Sequence, residues 1–533
     1  MNVPATGAPA GAERLRAIAA RRLGLRFDDS KSVFLSEVLQ RRLDHTGRRL
    51  DDYLFRLETA EPPADELRML AQELTVPETY FFRNAEQLQA LIEVALPACA
   101  KARPGQSLRL LSAGCASGEE PYSLAMLLHD QGTPWNVELH ALDVNTAMLK
   151  RAEQGRYSAW ALRETPADVQ ARCFRPQGRD FILNERFRAL VTFEERNLIR
   201  DDPSFWRPGA FDVIFCRNVL MYFSADVAAA VVSRLTRSLV PGGFLFLGYA
   251  ETLRGLSQEF HLLHTHDTFY YQRRQEWERV SPGAGEPSGL GPSAWSTRER
   301  PAADSPAPAA AIPGLPGNEE AASLSWVETI RQAALRVESL TRQPPLNTAD
   351  AELARALPRQ AVATSAAWDL GVAVELMRKE KFADALAVVK ALPPESANDA
   401  DVLLLRAVLL THGGDLAAAE ALCADVMRLD ELNAGAHYLM ALCREGAGDR
   451  AGAADQDKTA TYLDPLFAMP RLHLGLLARR SGDQETARRE LTEAHRLLQG
   501  EEASRLLLFG GGFTREALIA FCRAELTASG VAP

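Results

Sequence analysis

The sequence lacks the features that mark several classes of protein. It has no run of about 18 apolar residues, and its first twenty residues lack the basic start and apolar centre of a secretory signal. Its seven cysteines are an odd number, widely scattered, without the paired spacing of a zinc site or a redox couple. We therefore expect a cytoplasmic chain with no membrane insertion, no metal site, and reduced, mostly buried thiols.

Positive charge is also scarce, since the formal net charge is −10. Neutralising phosphates needs clustered Lys and Arg, so the balance disfavours a nucleic-acid partner. Residues 1–60 are the exception, because eleven Lys or Arg stand there against eight Asp or Glu. They include the doublets Arg21-Arg22, Arg41-Arg42 and Arg48-Arg49. Such a segment is either a solvated helix face or a surface for an acidic partner, and the sequence leaves both open.

The N-terminal region has the apolar spacing of helices. Apolar residues recur at helical intervals over 31–58, and the pattern breaks at Thr46-Gly47, which predicts two helices. A third helix is expected near Asp65 to Leu74, ending before Pro77. We expect these helices to form a small all-α bundle within residues 12–85.

From residue 108 the pattern changes to short apolar runs separated by helical segments. Four of these runs predict the strands Leu108–Ser112, Val137–Leu142, Phe211–Cys216 and Phe244–Tyr249. Strands that alternate with helices favour a doubly wound, largely parallel α/β sheet, here over residues 86–275. Two shorter runs, at 180–183 and 189–193, predict a small β-subdomain inserted at about 170–196.

A proline- and glycine-rich stretch follows this α/β region. Residues 281–317 contain eight Pro and six Gly, a composition that cannot bury enough surface to fold, so we expect a mobile linker over 276–318. Residues 319–365 are expected to form an isolated amphipathic helix and a second linker.

The last third of the chain repeats itself every 34 residues. Ala or Gly occupies positions 373, 407, 441 and 475, and Ala occupies 385, 419, 453 and 487. Small residues at this period are typical of helix-turn-helix repeats, in which they lie where two helices touch. Gly-Asp pairs at 414–415, 448–449 and 482–483 are expected in the turns. We predict a tetratricopeptide-type solenoid over 366–501 that binds a partner the sequence does not identify, capped by a helix within 502–533.

The loop after the first predicted strand favours a nucleoside ligand. Residues 112–118 (SAGCASG) are small and precede a helix, which lets a ligand approach the backbone closely. The spacing is not that of a phosphate-binding GxGxxG loop, and Glu119 and Glu120 would repel a pyrophosphate. Asp143 ends the second strand, where ribose binding is favoured over capping of the next helix. Together these features favour S-adenosylmethionine, which is cationic at sulfur and carries no phosphate.

Five ordered motifs carry a resemblance to a known family. They are residues 79–83 (TYFFR), 112–123 (SAGCASGEEPYS), 197–198 (NL), 211–218 (FDVIFCRN) with 222–223 (YF), and 242–243 (GG) with Gly248. Over residues 15–275 the chain resembles the CheR-type chemoreceptor glutamate methyltransferases. The resemblance implies an N-terminal helical domain and a class I, Rossmann-like S-adenosylmethionine-dependent methyltransferase domain with an inserted β-subdomain.

The same resemblance implies roles for individual residues. Thr79 and Arg83 would hold the amino-acid end of the cofactor, Glu120 its amino group and Asp143 the ribose. Asn197 and Leu198 would contact the adenine. The pocket where cofactor and substrate meet would be lined by Arg217, Asn218 and Tyr222, of which Arg217 and Tyr222 are the predicted catalytic residues. Family members commonly carry Asn where this chain has Pro77, so one cofactor contact is expected to be missing.

The implied function is esterification of glutamates on the helical bundle of chemoreceptors. The segment over 174–193 is shorter than in family members that tether a receptor peptide, so we expect recognition through the basic N-terminal helices, with Arg41, Arg42, Arg48 and Arg49 as substrate-binding candidates. A methyltransferase for nucleic acid or small molecules is disfavoured, because Asn218 is followed by Val219 rather than by the Pro-Pro-aromatic motif of such enzymes. A catalytically weak, cofactor-binding scaffold stays open as the alternative.

Overall fold

The computed structural model describes residues 8–59, 61–130, 135–275, 370–379 and 381–528. The chain divides into two compact units, with the boundary in sequence between Val280 and Ser281. The linker predicted over 276–318 and the helix and second linker predicted over 319–365 lie outside the described residues. All seven cysteines are free and buried, as expected. Among the helices that are described, none is long and apolar enough to span a bilayer.

Four helices begin the first unit. They are α1 (Ala8–Leu23), α2 (Ser32–Thr46), α3 (Leu50–Glu58) and α4 (Ala64–Leu74). Helix α2 ends where Gly47 takes a left-handed conformation with φ 64°, and the N–H of Gly47 donates to the carbonyl of Leu43 at 2.8 Å. The three helices predicted from the sequence are confirmed. Helix α1 was not predicted, although its residues Leu15 and Ile18 are buried in the core of the bundle.

A seven-stranded sheet forms the centre of the first unit. Its strands are β1 (Leu108–Ala113), β2 (Val137–Asp143), β6 (Val191–Glu195), β7 (Phe211–Cys216), β8 (Leu239–Leu247), β9 (Phe260–Thr265) and β10 (Thr268–Arg273). The order is β6-β2-β1-β7-β8-β10-β9; the first five strands are parallel, and β10 is antiparallel to both of its neighbours. The predicted doubly wound sheet is therefore confirmed. Its strand order reverses between β1 and β7, which opens a crevice at their carboxyl ends.

The remaining helices described in this unit follow α4; the first two precede β1, and the others lie along the chain between strands. They are α5 (Ala85–Ala90), α6 (Leu96–Ala102), α7 (Glu119–Asp130), α8 (Thr146–Gln154), α9 (Ala167–Cys173), α10 (Glu185–Arg188) and α11 (Ala225–Ser238). Aromatic rings stack across the sheet: Phe215 on β7 lies 4.5 Å from Phe246 on β8, and that ring lies 5.1 Å from Tyr270 on β10, measured between centroids. These stacked rings pack three neighbouring strands against one another.

A small antiparallel sheet accompanies the main one, with bounds that differ from the prediction. Its strands are β3 (Arg156–Ser158), β4 (Phe174–Gln177) and β5 (Asp180–Leu183), in the order β3-β5-β4. The run at 189–193, which the sequence assigned to the insertion, instead contributes to β6, and Val191 pairs in parallel with Leu139 of β2. The assignment was wrong because a local apolar pattern identifies a strand without identifying the sheet that it joins.

Paired helices form the second unit. They are α12 (Gly371–Arg378) with α13 (Phe382–Lys390), α14 (Ala400–His412) with α15 (Leu416–Leu429), α16 (Ala434–Gly446) with α17 (Arg450–Leu463), and α18 (Ala468–Ser481) with α19 (Gln484–Leu498). All eight small residues of the 34-residue period are buried. A Cβ added at Gly475 would lie 2.6 Å from Cγ of Leu491, so this helix pair leaves no room for a side chain there. The predicted solenoid is confirmed.

The Gly-Asp pairs form the turns between paired helices, as predicted. Gly414, Gly448 and Gly482 have φ between 78° and 88°, a conformation that favours glycine. The aspartate that follows each glycine accepts a backbone N–H of the next helix, as Asp483 does from Thr486 at 3.0 Å. The second helix therefore starts with a cap in the three helix pairs that have a Gly-Asp turn.

A buried charged cluster links three helices of the array. His473 on α18 lies 2.7 Å from Asp457 on α17 and 3.1 Å from Glu445 on α16, and Glu445 also pairs with Arg480. Burial alone would lower the pKa of His473, but the two carboxylates outweigh it and raise the pKa to about 9. Burial raises the pKa of Asp457 to about 6. The cluster therefore favours a protonated His473 at neutral pH.

Two further helices follow the last pair, α20 (Ala503–Phe509) and α21 (Arg515–Ala528). Helix α21 packs against α19 and buries Leu518 and Cys522, so it covers the end of the solenoid as the sequence predicted. Helix α20 was not predicted. It does not continue the stack of helix pairs.

Candidate functional site

A cavity of about 610 Å³ opens at the carboxyl ends of the central strands. Its walls include every residue that the sequence suggested for the cofactor or for catalysis: Thr79, Arg83, Glu120, Asp143, Asn197, Leu198, Arg217, Asn218 and Tyr222. A cavity of this volume suits a ligand of nucleoside size. The fold thus brings these residues together, while their individual roles stay predictions.

The loop after β1 forms one wall of the cavity from backbone. Gly114 has φ 82°, and a Cβ at that position would lie only 2.4 Å from Cγ2 of Val219. Glycine is therefore required here for two reasons, its left-handed conformation and the close approach of the loop that follows β7. Small residues of this loop, Gly114, Cys115 and Ala116, therefore let a ligand approach the backbone closely.

Asp143 ends β2 and faces the same loop. Its carboxylate accepts the N–H of Ala116 at 2.8 Å and the N–H of Asn145 at 2.7 Å. The cap of helix α8 is Asn145, which accepts the N–H groups of Ala147 and Met148. Capping of α8 by Asp143, the alternative reading from the sequence, is therefore wrong. Burial raises the pKa of Asp143, against the effect of its backbone donors; the carboxylate keeps lone pairs for ligand hydroxyls.

Glu120 and Arg217 meet at the floor of the cavity. Nη1 of Arg217 lies 3.6 Å from Oε2 of Glu120, and Ser112 donates to Glu120 at 2.6 Å. Nη2 of Arg217 donates to the carbonyl of Arg83 at 2.7 Å and to Oδ1 of Asn84 at 2.5 Å. Burial raises the pKa of Glu120 and lowers that of Arg217, and each opposes the shift of the other. The guanidinium is thus fixed in place before any ligand arrives.

The segment between α4 and α5 supplies the opposite wall. Among the described residues, the guanidinium of Arg83 donates one hydrogen bond, to the carbonyl of Glu78 at 3.3 Å, and lies 5.5 Å from the ring centre of Tyr80. Its other N–H groups can bind a carboxylate. Thr79 and Pro77 also line the cavity, and Pro77 brings neither a side-chain donor nor an N–H.

Asn197 and Leu198 follow β6 and connect the cavity with α1. The amide of Asn197 donates to the carbonyl of Arg22 at 2.9 Å and accepts the N–H of Ile199 at 3.1 Å. Arg234 donates to the carbonyl of Leu198 at 2.7 Å. Both residues are therefore held from outside the cavity, which leaves the largely buried Leu198 side chain as an apolar wall for a flat ring.

Asn218 and Tyr222 lie on the loop after β7. Asn218 has a left-handed conformation with φ 58°, and Tyr222 ends a short 3₁₀ turn, Leu220–Tyr222. The carbonyl of Tyr222 accepts the N–H of Arg26 at 2.7 Å, so the segment after α1 pairs with this loop. Burial raises the pKa of Tyr222, which keeps its hydroxyl protonated as a donor at neutral pH.

Glu251 holds this loop in place, a role that sequence reasoning missed. Oε2 accepts the N–H groups of Asn218 at 2.6 Å and Gly248 at 2.8 Å, and Oε1 accepts those of Val219 at 2.8 Å and Met221 at 3.2 Å. The side chain is buried and does not line the cavity. Gly248, one of the family motifs, leaves the space for it, since a Cβ there would lie 2.9 Å from Oε2 of Glu251.

Two basic residues at the outer part of the cavity were also missed. Arg26 and Lys31 belong to the segment that joins α1 to α2, and both line the cavity together with Asp28. The charged stretch over 1–60 was the available signal, but it did not say which of its residues would reach the site.

The four arginines predicted to bind substrate have different surroundings. Arg42 is wrong as a surface candidate, because its side chain is 4% exposed and donates to both carboxylate oxygens of Glu66 at 2.8 Å. Arg41 and Arg48 are exposed and form ion pairs with Glu73 and Asp52. Arg49 is exposed as well. Arg42 therefore stabilises the bundle, and the other three stay candidates for an acidic partner.

Comparison with known proteins places this site in a family. Residues 77–269 match the family model described as the CheR methyltransferase, SAM binding domain. Chemotaxis protein methyltransferase 2 of Vibrio cholerae is 34% identical over 254 residues, which are 47% of this chain and 88% of that protein. The chain belongs to the CheR methyltransferase family. Members of this family are S-adenosylmethionine-dependent protein methyltransferases, so the cofactor predicted from the sequence is confirmed.

Two other relatives extend the comparison. Chemotaxis protein methyltransferase 1 of Pseudomonas aeruginosa is 31% identical over 280 residues, covering 50% of this CheR-family chain and all of that protein. The probable biofilm formation methyltransferase WspC of the same species is 27% identical over 482 residues, covering 90% of this chain and 96% of that protein. The similarity to WspC therefore includes the region of the solenoid.

Proposed function

We propose that this chain transfers a methyl group from S-adenosylmethionine to glutamate side chains on the cytoplasmic helices of chemoreceptors, and that it acts in the cytoplasm. The observation that carries the proposal is the cavity at the strand ends, in which Arg83, Glu120, Asp143 and Arg217 surround a space of nucleoside size. The relatives named as chemotaxis methyltransferases support the choice of substrate.

The residues around the cavity suit the bound cofactor. Arg83 would bind its carboxylate, Glu120 its amino group and Asp143 the ribose hydroxyls, with Asn197 and Leu198 beside the adenine. When bound, the cofactor supplies a methyl group attached to a cationic sulfur; a carboxylate oxygen would attack the methyl carbon as the carbon–sulfur bond breaks. A glutamate, with a pKa of about 4.3, is already ionised at neutral pH. The protein therefore needs no general base.

The contribution of the protein is then alignment of the reacting groups, which can supply about 7–11 kcal/mol. Nη2 of Arg217 is held by Asn84 and by the carbonyl of Arg83, and its Nη1 lies 3.6 Å from Glu120. It is thus not available as a two-pronged clamp on the substrate carboxylate, a contact that would stabilise the ground state and slow transfer. We assign Arg217 and Tyr222 to positioning, and Asn218 to the same wall.

The rim of the cavity suits a protein substrate. Val76 and Met221 line the cavity and yet are 61% and 57% exposed. Exposed apolar side chains at a cavity mouth mark a surface that a partner covers.

The basic surface suits a long partner. Phe34 on α2 lines the cavity, and Arg41 lies seven residues farther along the same helix, about 10 Å away at 1.5 Å per residue. Arg48 and Arg49 follow beyond the end of α2. An acidic helical bundle could lie along this line with one glutamate in the cavity.

Mass spectrometry of a receptor fragment incubated with the full chain and cofactor tests the reaction. We expect methyl esters on a few glutamates, and replacing those glutamates by Gln should abolish them. A triple reversal of Arg41, Arg48 and Arg49 to Glu should slow receptor methylation while leaving cofactor binding unchanged. Glu37→Gln, at an exposed position of α2, is the control. Unchanged receptor methylation by the triple variant would contradict the proposal that these arginines bind the receptor, but it would leave the proposed methyl transfer unaffected.

The near full-length similarity to WspC favours a second candidate, a receptor that controls biofilm formation rather than movement. Receptor fragments of both kinds, assayed side by side with nucleic acid as a third acceptor, separate these substrates. Cofactor binding without transfer to any acceptor would favour the weak scaffold. In each case we propose that the solenoid over 366–501 selects or localises a protein partner.

A further inference from the structure

Helix α20 lies on the first helices of the repeat pairs. Leu508 and Phe509 share the wall of a small cavity with Val408 and His412 of α14 and with Leu439 of α16. Repeat arrays use the extended faces of their stacked helices to bind partners. We call this surface, formed by Val408, His412, Tyr438, Leu439 and Phe467, the first-helix face.

Phe509 is anchored in this face by aromatic residues. Its ring centre lies 6.1 Å from that of Tyr438 and 5.2 Å from that of Phe467, and the Tyr438 hydroxyl approaches the Phe509 carbonyl at 3.4 Å. Gly435 makes room for the ring, because a Cβ there would lie 2.7 Å from Cζ of Phe509. The face therefore contains a fitted position for an aromatic side chain.

Polar contacts fix the start of the same segment. Glu501 is buried and accepts the N–H of Ala468 at 2.8 Å, which caps helix α18. Arg505 lies 3.1 Å from Asp464 and 5.2 Å from the ring centre of Phe467. The face thus recognises an acidic residue, an arginine four positions later, and an apolar-aromatic pair three and four positions after that.

The segment is joined to its neighbours in a way that allows it to leave. A helix of seven residues is too short to be stable by itself, so α20 depends on the face beneath it. Gly500 precedes it, and Gly510, Gly511 and Gly512 follow it, which gives flexible connections on both sides. The end of the solenoid is covered by α21 packed on α19, not by α20.

We propose that residues 501–513 are an internal ligand of the first-helix face, and that the array binds an external peptide of the same chemistry only when this segment is displaced. In the free protein, the first-helix face is then occupied by residues 501–513 of the same chain, and displacement of this segment regulates access to it. Its ligand class is a short amphipathic helix with the Glu, Arg and Leu-Phe spacing of residues 501–509.

The test uses a fluorescently labelled synthetic peptide of residues 499–513 and the full chain. The double variant Leu508→Ala with Phe509→Ala weakens the internal segment and leaves the face intact. A face occupied for most of the time binds an external ligand with reduced apparent affinity, so the variant should bind the peptide about tenfold more tightly, or better, than the wild type. Glu502→Gln, at an exposed position beside Glu501, should bind like the wild type.

A labelled peptide with Ala in place of Phe509 is the specificity control and should not bind. A double variant that keeps its helical circular dichroism yet takes up no peptide would overturn the proposal, as would equal binding by wild type and variant. Loss of the array's helical signal in the variant would also overturn it, because a displaceable segment is not needed for folding. In the wild type, excess unlabelled peptide should speed hydrogen exchange in α20 and not in α18; equal exchange with and without peptide counts against displacement.

Discussion

Replacing Glu251 by Gln tests how the cavity is held in shape. The two oxygens of Glu251 accept four backbone N–H groups, three of them from the loop that contains Asn218 and Tyr222. Glutamine has nearly the same shape but keeps only one acceptor oxygen. Its amide nitrogen must therefore face two N–H donors in a buried place.

The loss of stability in Glu251→Gln can be worked out from the two backbone N–H donors that lose their acceptor. A buried donor left without a partner costs about 1–3 kcal/mol, so Glu251→Gln should weaken the loop by about 2–6 kcal/mol. Even the lower figure raises the population of the open loop by about 30-fold. Since the loop positions Tyr222, and a displacement of about 1 Å can reduce a rate about 100-fold, methyl transfer should fall far more than cofactor affinity.

Hydrogen exchange over residues 217–222 measures the loosening, and calorimetric titration with S-adenosylhomocysteine together with a transfer assay measures its consequence. Glu153→Gln, at an exposed position of α8, is the matched control and should behave as wild type. If Glu251→Gln exchanges and transfers within about twofold of the wild type, the four hydrogen bonds do not hold the loop and the reasoning is wrong.

Three further changes have defined outcomes. Arg42→Ala removes the two guanidinium donors of Glu66 and leaves that carboxylate only the hydroxyl of Tyr53, so it should cost about 1.5–3 kcal/mol in thermal unfolding. Arg41→Ala breaks a more exposed pair and should cost less than about 1 kcal/mol; equal losses would contradict the burial of Arg42. With its pKa raised to about 9, His473 stabilises the array fully below about pH 6.5 and loses that effect as the pH rises through 9. The thermal midpoint of the wild type should therefore fall over this pH range more than the midpoint of His473→Gln. Parallel curves of midpoint against pH for the two proteins would refute this prediction. Gly475→Ala crowds its helix pair and should destabilise by about 1–3 kcal/mol in urea unfolding; Gly413→Ala, in an open turn, should not, and similar midpoints for the two would reject the packing argument.

The sequence predicted two kinds of feature correctly: the helices of the array, whose positions follow from a 34-residue repeat, and the cavity residues, whose positions follow from the ends of strands. Ala441 and Gly475 repeat at 34 residues because each fills the same contact between helices, so the array could be read from spacing alone. The cavity residues could be predicted to meet for a similar reason, since Asp143 ends β2 and Arg217 follows β7, and the carboxyl ends of both strands share one edge of the sheet.

The rest depended on contacts between distant parts of the chain. Arg42 looked like a surface arginine because its partner Glu66 lies 24 residues away. The strand starting at Val191 belongs to the main sheet rather than to the insertion, because it pairs with β2. Glu251 had no local signal at all, because its role depends on the course of a loop about 30 residues earlier. Helix α20 has only seven residues, which are too few to show a helical spacing of apolar residues in the sequence.

The most direct test of the account is transfer of labelled methyl from S-adenosylmethionine to a purified receptor fragment, followed by mild alkali. A methyl ester of glutamate is cleaved by base, so the account predicts that the label leaves the protein as volatile methanol. It also predicts that Asp143→Ala reduces both labelling and cofactor affinity. Label that stays on the receptor after alkali, or no label despite tight cofactor binding, would contradict glutamate methylation.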